Sequence, residues 1–342
     1  MAKNEPCSSL GIFSKFASMS VIKEISGLLA SDLKTFDKVF KSAMITDVAL
    51  LDIILKYLHR QKGKQMRPMF VLLTAHIYGG VQPATYRAAS LIELLHTATL
   101  VHDDVVDDSN ERRGLFSLNA LWKNKISVLA GDFLLSKGLI LSLENDDFEL
   151  LKIVANATKE MSEGELLQIE KARRLDITED VYFEIIRKKT ASLIASCCAV
   201  GAASAKAPPD EVEKMRLFGE KVGLAFQIKD DIFDFKKAGD IGKPKGIDIK
   251  EQKMTLPLIY MLQNMGLIER RKVIRTIKRH HQNPAKVQQI INKVNASGGI
   301  EYAESKMNDL VNDALQLIVD KPISLYTTSL INLVKFSISR EK

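Results

Sequence analysis

Glu93-Leu94-Leu95-His96-Thr97-Ala98-Thr99-Leu100-Val101-His102 runs directly into Asp103-Asp104-Val105-Val106-Asp107. Apolar residues recur here at three- and four-residue intervals, continuing a pattern that begins near Arg87, so the stretch reads as a helix closing on a cluster of acids. At 3.6 residues per turn Asp103 and Asp107 project from one face, and His96 stands two turns earlier on that same face. The same periodicity, rich in Leu, Ile, Ala, Lys and Glu, fills almost every long segment on either side, while alternating β-branched runs are scarce. That pattern predicts an all-α protein. Gly79-Gly80 with Pro83, Asn145-Asp146-Asp147, Pro208-Pro209 with Asp210 as an N-cap, Asn283-Pro284, Gly298-Gly299 and Pro322 punctuate it as turns, not as domain linkers. Residues 21–342 are therefore read as one helical domain behind a loosely ordered tail at residues 1–20.

The chain has 342 residues and 46% hydrophobic content, enough to bury a sizeable core. Its formal charge of +7 suits a phosphate-bearing partner and suits an ordinary surface equally well. One Trp, cations interleaved with acids and no recognisable basic recognition helix argue against a nucleic-acid partner. Cys7, Cys197 and Cys198 are odd in number and lack metal-ligand spacing, which fits a reducing cytoplasm better than a disulfide framework. No uninterrupted apolar run reaches the ~18 residues that span a bilayer; the longest, near Leu134 to Leu143, contains Lys137. The first residues are too short and too charged for a secretory leader, and Glu5 argues against a transit peptide.

A second acidic cluster, Asp230-Asp231-Ile232-Phe233-Asp234, lies in the helical stretch Gly219 to Phe235, with Gln227 on the stripe of Asp230 and Asp234. Carboxylates one turn apart repel, and apolar neighbours such as Val101, Val105, Phe226 and Phe233 make that repulsion worse. Something should neutralise them. Mg²⁺ is held by one or two carboxylates together with substrate phosphates, and no Cys or His arrangement competes for a softer metal. One such cluster is a weak signal; two are a strong one, and they must be brought together by distant helices.

Cations complete the pattern. Gly63-Lys64-Gln65-Met66-Arg67-Pro68 places Lys64 and Arg67 at a helix entrance, where backbone N–H groups also attract anions. Arg112-Arg113-Gly114 follows the first cluster by two turns or a short loop and supplies forked donors suited to phosphate. Lys189-Thr190 adds an ammonium and a hydroxyl. Residues 236–248, with three Gly, one Pro and four Lys, read either as a connector or as a basic lid over phosphate.

These motifs resemble, in order, the trans-isoprenyl diphosphate synthases, and within them the long-chain polyprenyl subgroup of octaprenyl and heptaprenyl synthases. The resemblance covers residues 22 to 342 and rests on the element at 63–68, on 93–107, on Arg112-Arg113-Gly114, on Lys189-Thr190-Ala191, on Phe226-Gln227 before the second cluster, and on Gly242-Lys243-Pro244 through Lys253-Met254-Thr255-Leu256-Pro257. It implies a single large helical bundle around a central active-site cavity, isopentenyl and allylic diphosphates as substrates, three Mg²⁺ ions and a homodimer. By the resemblance, Lys64, Arg67, His96 and Arg113 hold isopentenyl diphosphate. Asp103 and Asp107 hold two metal ions, and Asp230, supported by Asp231 and Asp234, a third. Arg112, Lys189, Lys243 and Lys253 grip the allylic diphosphate, while Thr190 and Gln227 face the cation that forms. Three positions depart from the family pattern: Lys62 and Gln252 where Gly is usual, and Lys229 where an apolar residue is usual.

Ala98 and Thr99, five and four residues before Asp103, are small where an aromatic ring would plug a tunnel for the growing tail. Phe133 is then a candidate for a deeper floor, and a product of seven or eight isoprene units, a quinone side-chain precursor, is the expectation. The rival readings are a shorter-chain farnesyl or geranylgeranyl synthase, a terpene cyclase, which would leave Lys64, Arg67, His96 and Arg113 unexplained, and a silent subunit of a heteromeric synthase, which would be expected to lack metal ligands. Peripheral membrane contact for product release completes the expectations.

Overall fold

The computed structural model describes residues 20–61, 63–112, 114–172, 175, 177–235 and 246–339. Cys7, Lys62, Arg113, Lys243 with the rest of the candidate lid up to residue 245, and the terminal residues 340–342 lie outside the described residues. So does nearly all of the N-terminal tail.

Helix follows helix: α1 (Ala30–Ala43), α2 (Ala49–Arg60), α3 (Met66–Ile77), α4 (Pro83–Val106), α5 (Leu118–Leu143), α6 (Phe148–Ala172), α7 (Glu179–Ile186), α8 (Ser192–Ser204), α9 (Pro209–Phe233), α10 (Ile247–Lys250), α11 (Leu256–Gln263), α12 (Leu267–His280), α13 (Pro284–Ala296), α14 (Gly299–Gln316) and α15 (Leu325–Ser339). The all-α expectation holds. The exception among the described residues is a hairpin of β1 (Glu111–Arg112) and β2 (Leu115–Phe116), which reverses through Gly114 at φ +75°. Arg112 thus sits on a short ladder between α4 and α5.

The predicted punctuation sets the helix ends, with one correction: α9 already begins at Pro209 and the Pro208 carbonyl accepts the Val212 N–H, so Asp210 lies in the first turn and is not the N-cap. Pro83 and Pro284 occupy first helical positions, where a missing N–H costs nothing. Ser117, Thr178 and Asn283 accept N–H groups of the first turns of α5, α7 and α13.

Packing divides the chain into two compact units. One holds the described residues up to Ala155, Ser196–Arg216 and those from Lys321 onward; the other holds Asn156–Ala195 and Leu217–Asp320. In the first, α3 is buried continuously from Pro68 to Ala75, and α4 and α5 pack along their length. Cys197 and Cys198 are free thiols within its core. In the second, Phe218, Val222, Ile228, Phe235, Leu256, Ile277 and Val294 form the interior. α5 corrects one expectation: its 26-residue span, kinked at Lys123 where the backbone is non-helical (φ +68°), is long and apolar enough, by length and composition, to cross a bilayer, because helicity continues past Lys137. Only a third of its most apolar window is buried, and Val128, Leu129, Leu139, Ile140 and Leu143 are exposed along one side.

Candidate active site

The end of α4 sorts its acids by face. Asp103 and Asp107 are exposed, whereas Asp104, 3% exposed, turns inward and takes Nε of Arg112 at 2.8 Å and Nη2 at 2.7 Å. Asn119 of α5 donates to the Asp108 carboxylate at 3.2 Å and reaches the Asp104 carbonyl at 3.4 Å, tying the turn after α4 to the next helix. Arg67 donates Nε to Glu93 at 3.2 Å, and the Lys64 ammonium lies 5.1 Å from the centre of the Phe336 ring. His96, Glu93, Gln65, Asp104 and Arg112 line one recess together with Phe36, Phe40, Met44, Leu58, Leu100 and Leu118. Of the cations assigned by resemblance to isopentenyl diphosphate, Arg67 is thus placed on α3 beside α4, and Lys64 just before it.

The chain-length positions are placed differently from one another. Ala98 is fully buried and Thr99 half-buried, its hydroxyl donating to the His96 carbonyl at 2.9 Å. Phe133 is half-buried with the Lys137 ammonium 5.4 Å from its ring centre. The recess described above runs past Thr97, Leu100 and Val101, on another side of α4 from Ala98.

The second unit builds a polar recess from α6, α7, α9 and the segment before α11. Between α7 and α8 the chain forms a π-helical turn, Arg187–Ala191, which carries Lys189 and Thr190. Such turns recur at functional sites. Two glycines make room for it: a Cβ on Gly164 would stand 2.6 Å from the Lys189 nitrogen, and one on Gly223 would stand 2.5 Å from Cα of Ala191. Gly219, one turn before Gly223, approaches Ile194 and Ala195 equally closely. The next position on that stripe of α9 is Gln227, which is how it comes to meet Thr190.

Thr190 donates Oγ1 to Oε1 of Gln227 at 2.8 Å, and Gln227 donates Nε2 to Oδ1 of Asp231 at 2.8 Å. Tyr182 donates its hydroxyl to the other oxygen of Asp231 at 2.7 Å. Burial, with Asp248 close by, pushes the Asp231 carboxyl up to about 7, against the two hydrogen bonds that hold it down. Burial likewise pushes the Tyr182 hydroxyl up. Asp234 accepts the backbone N–H groups of Ile247 at 3.0 Å and Asp248 at 3.2 Å, anchoring the entry to α10. Its carboxyl is raised by burial, and those amides oppose the rise. Asp230 and Asp234 are both half-buried, and Asp230 points elsewhere than Asp231. Lys189 pairs with Glu165 and lies 3.4 Å from Gln168, while Lys253 pairs with Glu251 at 2.5 Å.

Lys189, Thr190, Gln227, Asp231, Asp248, Lys253 and Thr255 all line this recess. Thr255 holds the N-cap position of α11 without capping it, and its buried hydroxyl has no partner among the described residues. Tyr182, Asp248, Gly164 and Gly223 were missed by sequence reasoning, since neither periodicity nor cluster spacing marks them.

Among the described residues no three His, Cys, Asp or Glu side chains converge into a metal cage of their own. The donor set nevertheless fits a hard divalent ion: Asp103 and Asp107 present carboxylate oxygens on one exposed helix face, the arrangement in which substrate phosphates complete the coordination.

An acidic helix end with Arg67 and Arg112 in the first unit, and a second acidic cluster with a hydroxyl–amide pair beside a lysine in the second, point to an enzyme that handles diphosphates. The polyprenyl synthetase family model matches residues 48–294. An all-trans-nonaprenyl-diphosphate synthase (geranyl-diphosphate specific) of Rhodobacter capsulatus is 37% identical over 320 residues, 93% of this chain and 98% of that one. Octaprenyl diphosphate synthase of Escherichia coli (strain K12) is 31% identical over 322 residues, 94% and 99% of the two chains. A crystal structure of a polyprenyl synthase from Caulobacter crescentus CB15, complexed with calcium and isoprenyl diphosphate, has a TM-score of 0.85 at 32% identity, covering 93% of this chain and 98% of that one. The chain belongs to the polyprenyl synthetase family, and it is a prenyl-transferring enzyme.

Proposed function

We propose that the enzyme joins isopentenyl diphosphate units head to tail onto an allylic diphosphate, giving an all-trans polyprenyl diphosphate of about seven or eight units for a quinone side chain. The hydrogen-bond chain from Thr190 through Gln227 to Asp231, set beside Lys189 and Lys253, is the observation that carries this reading. Asp103 and Asp107 would hold two Mg²⁺ ions and Asp230 a third, with Asp231 orienting Gln227 and Asp234 fixing the entry to α10. Bound there, magnesium would neutralise diphosphate charge so that it can leave with its electron pair.

Lys189, Lys253 and Arg112 grip the allylic diphosphate. Because the Thr190 proton points at Gln227, the lone pairs of that hydroxyl, with the Gln227 carbonyl, stabilise the allylic cation without bonding to it. Lys64, Arg67 and His96 hold isopentenyl diphosphate, whose double bond attacks the cation to form the new C–C bond. The resulting tertiary cation loses a proton, for which the departed diphosphate is the acceptor. Arg113 and Lys243, assigned by resemblance to the same two diphosphates, lie outside the described residues.

The exposed apolar side of α5 supports a homodimer, since a face of that kind is normally covered. A soluble, cytoplasmic enzyme is the accompanying proposal. Incubating the purified protein with labelled isopentenyl diphosphate and an allylic primer tests the reaction: label enters the organic phase with Mg²⁺ and not with excess chelator. Label transfer that ignores the chelator would contradict the proposal.

A further inference from the structure

We infer that α12 is a docking surface for an anionic phospholipid bilayer. The inference deepens the proposed function, since a product with a long apolar tail must leave water for a membrane. α12 concentrates charge that is mixed elsewhere: Leu267–His280 holds six Lys or Arg and one acid. That acid, Glu269, is already paired with Lys293 of α13.

The face is organised. Val273 and Ile277 are buried in the interior of the second unit, to which α12 belongs, and Arg271, Lys272, Arg275, Lys278 and Arg279 are exposed. At 3.6 residues per turn these five cations fall within less than half of the helix circumference. Leu267 and Ile268, 71% and 73% exposed, lie on that same arc at the first turn. A purely charged face is at home in water. Cations sharing one arc with two branched apolar side chains form a surface that gains by lying on lipid, with charge attracting anionic headgroups and the apolar pair entering the boundary. A nucleic acid would use the cations and leave Leu267 and Ile268 in water, so the bilayer is the occupant the surface favours.

Co-sedimentation of the full-length enzyme, without substrates, with vesicles of phosphatidylcholine alone or mixed with phosphatidylglycerol tests the surface. We expect binding to the anionic vesicles only, weakened by salt. Arg271→Ala/Arg275→Ala/Lys278→Ala should weaken it roughly fivefold per cation, on the order of a hundredfold together. Leu267→Ser/Ile268→Ser should keep low-salt binding and lose the part that resists salt. All five substituted side chains are exposed, and turnover of a short primer in detergent should be unchanged in both variants. Wild-type protein that ignores anionic vesicles, variants that bind like wild type, or binding to duplex DNA that exceeds binding to the vesicles would each overturn the inference. Vesicle binding by a protein that transfers no prenyl group would sink the proposed function and leave the docking surface standing.

Discussion

The Thr190 hydroxyl lies 2.8 Å from Oε1 of Gln227, and this contact decides which way the amide points. With its oxygen turned to Thr190, Gln227 offers its N–H group to Asp231. Thr190→Val keeps the volume and removes the donor, freeing the amide to turn. We expect kcat to fall by about ten- to a hundredfold, about 1.4–2.7 kcal/mol of transition-state stabilisation, with the KM for isopentenyl diphosphate little changed. Steady-state kinetics check this; a pure KM effect would remove both residues from the cation's surroundings.

Gly223 makes that contact attainable. Its Cα faces Ala191 so closely that no Cβ fits, so Gly223→Ala must push α9 away from the π-helical turn. Overpacking of this kind costs ~1–3 kcal/mol, and the displaced Gln227 should lower kcat beyond what the lost stability explains. Thermal unfolding and activity measured well below the transition separate the two effects. Full activity in a destabilised variant would mean that the close approach is only structural.

Asp103→Ala and Asp230→Ala relieve carboxylate repulsion and remove no buried packing. We expect turnover to drop by several powers of ten with unfolding temperature unchanged or raised, and the Mg²⁺ concentration needed for half activity to rise. Asp231→Ala should differ, destabilising the fold because it leaves the buried Tyr182 hydroxyl without its acceptor. Equal thermal behaviour of Asp230→Ala and Asp231→Ala would contradict the division of labour within the cluster.

Gln252 adopts φ +59°, a left-handed conformation that glycine tolerates best, and its side-chain nitrogen lies 2.9 Å from Nδ1 of His281. The turn delivers Lys253, whose N–H bonds to the Asp248 carbonyl at 2.8 Å, into the polar recess. The tether therefore offsets backbone strain of about 1 kcal/mol. His281→Ala should raise the KM for the allylic primer several-fold, about 1 kcal/mol of binding, yet have little effect in a Gln252→Gly background, where nothing remains to be tethered. A double-mutant cycle measures this, and additive effects would sink the coupling.

The acidic clusters could be read from sequence because carboxylates a turn apart mark themselves by spacing alone. Their internal division could not: Asp230, Asp231 and Asp234 differ only in what surrounds them, and Tyr182 and Asp248 come from other elements. Arg112 reads in the sequence as a candidate phosphate donor, but its pairing with buried Asp104 depends on the hairpin that folds it back. The π-helical turn and its flanking glycines arise from tertiary fit, which no periodicity encodes.

Chain length shows the same limit. Smallness at positions 98 and 99 is plain in the sequence, whereas the fully buried Ala98 and half-buried Thr99 will not respond alike. Thr99→Phe should shorten the products to about three or four units at modest cost in stability, while Ala98→Phe should also destabilise the fold by ~1–3 kcal/mol. Phe133→Ala should lengthen the distribution if that ring is the floor. Product sizing together with thermal unfolding distinguishes these outcomes; unchanged products from both Phe variants would place the tail elsewhere.

The most direct measurement is the size distribution of the dephosphorylated products that the wild-type enzyme makes from labelled isopentenyl diphosphate, an allylic primer and Mg²⁺. The account requires a ladder of all-trans prenols rising to a dominant species of about seven or eight units, and none when metal is chelated. Products that stop at three or four units would contradict the long-chain assignment, and cyclic hydrocarbons or an unchanged primer would contradict chain elongation itself.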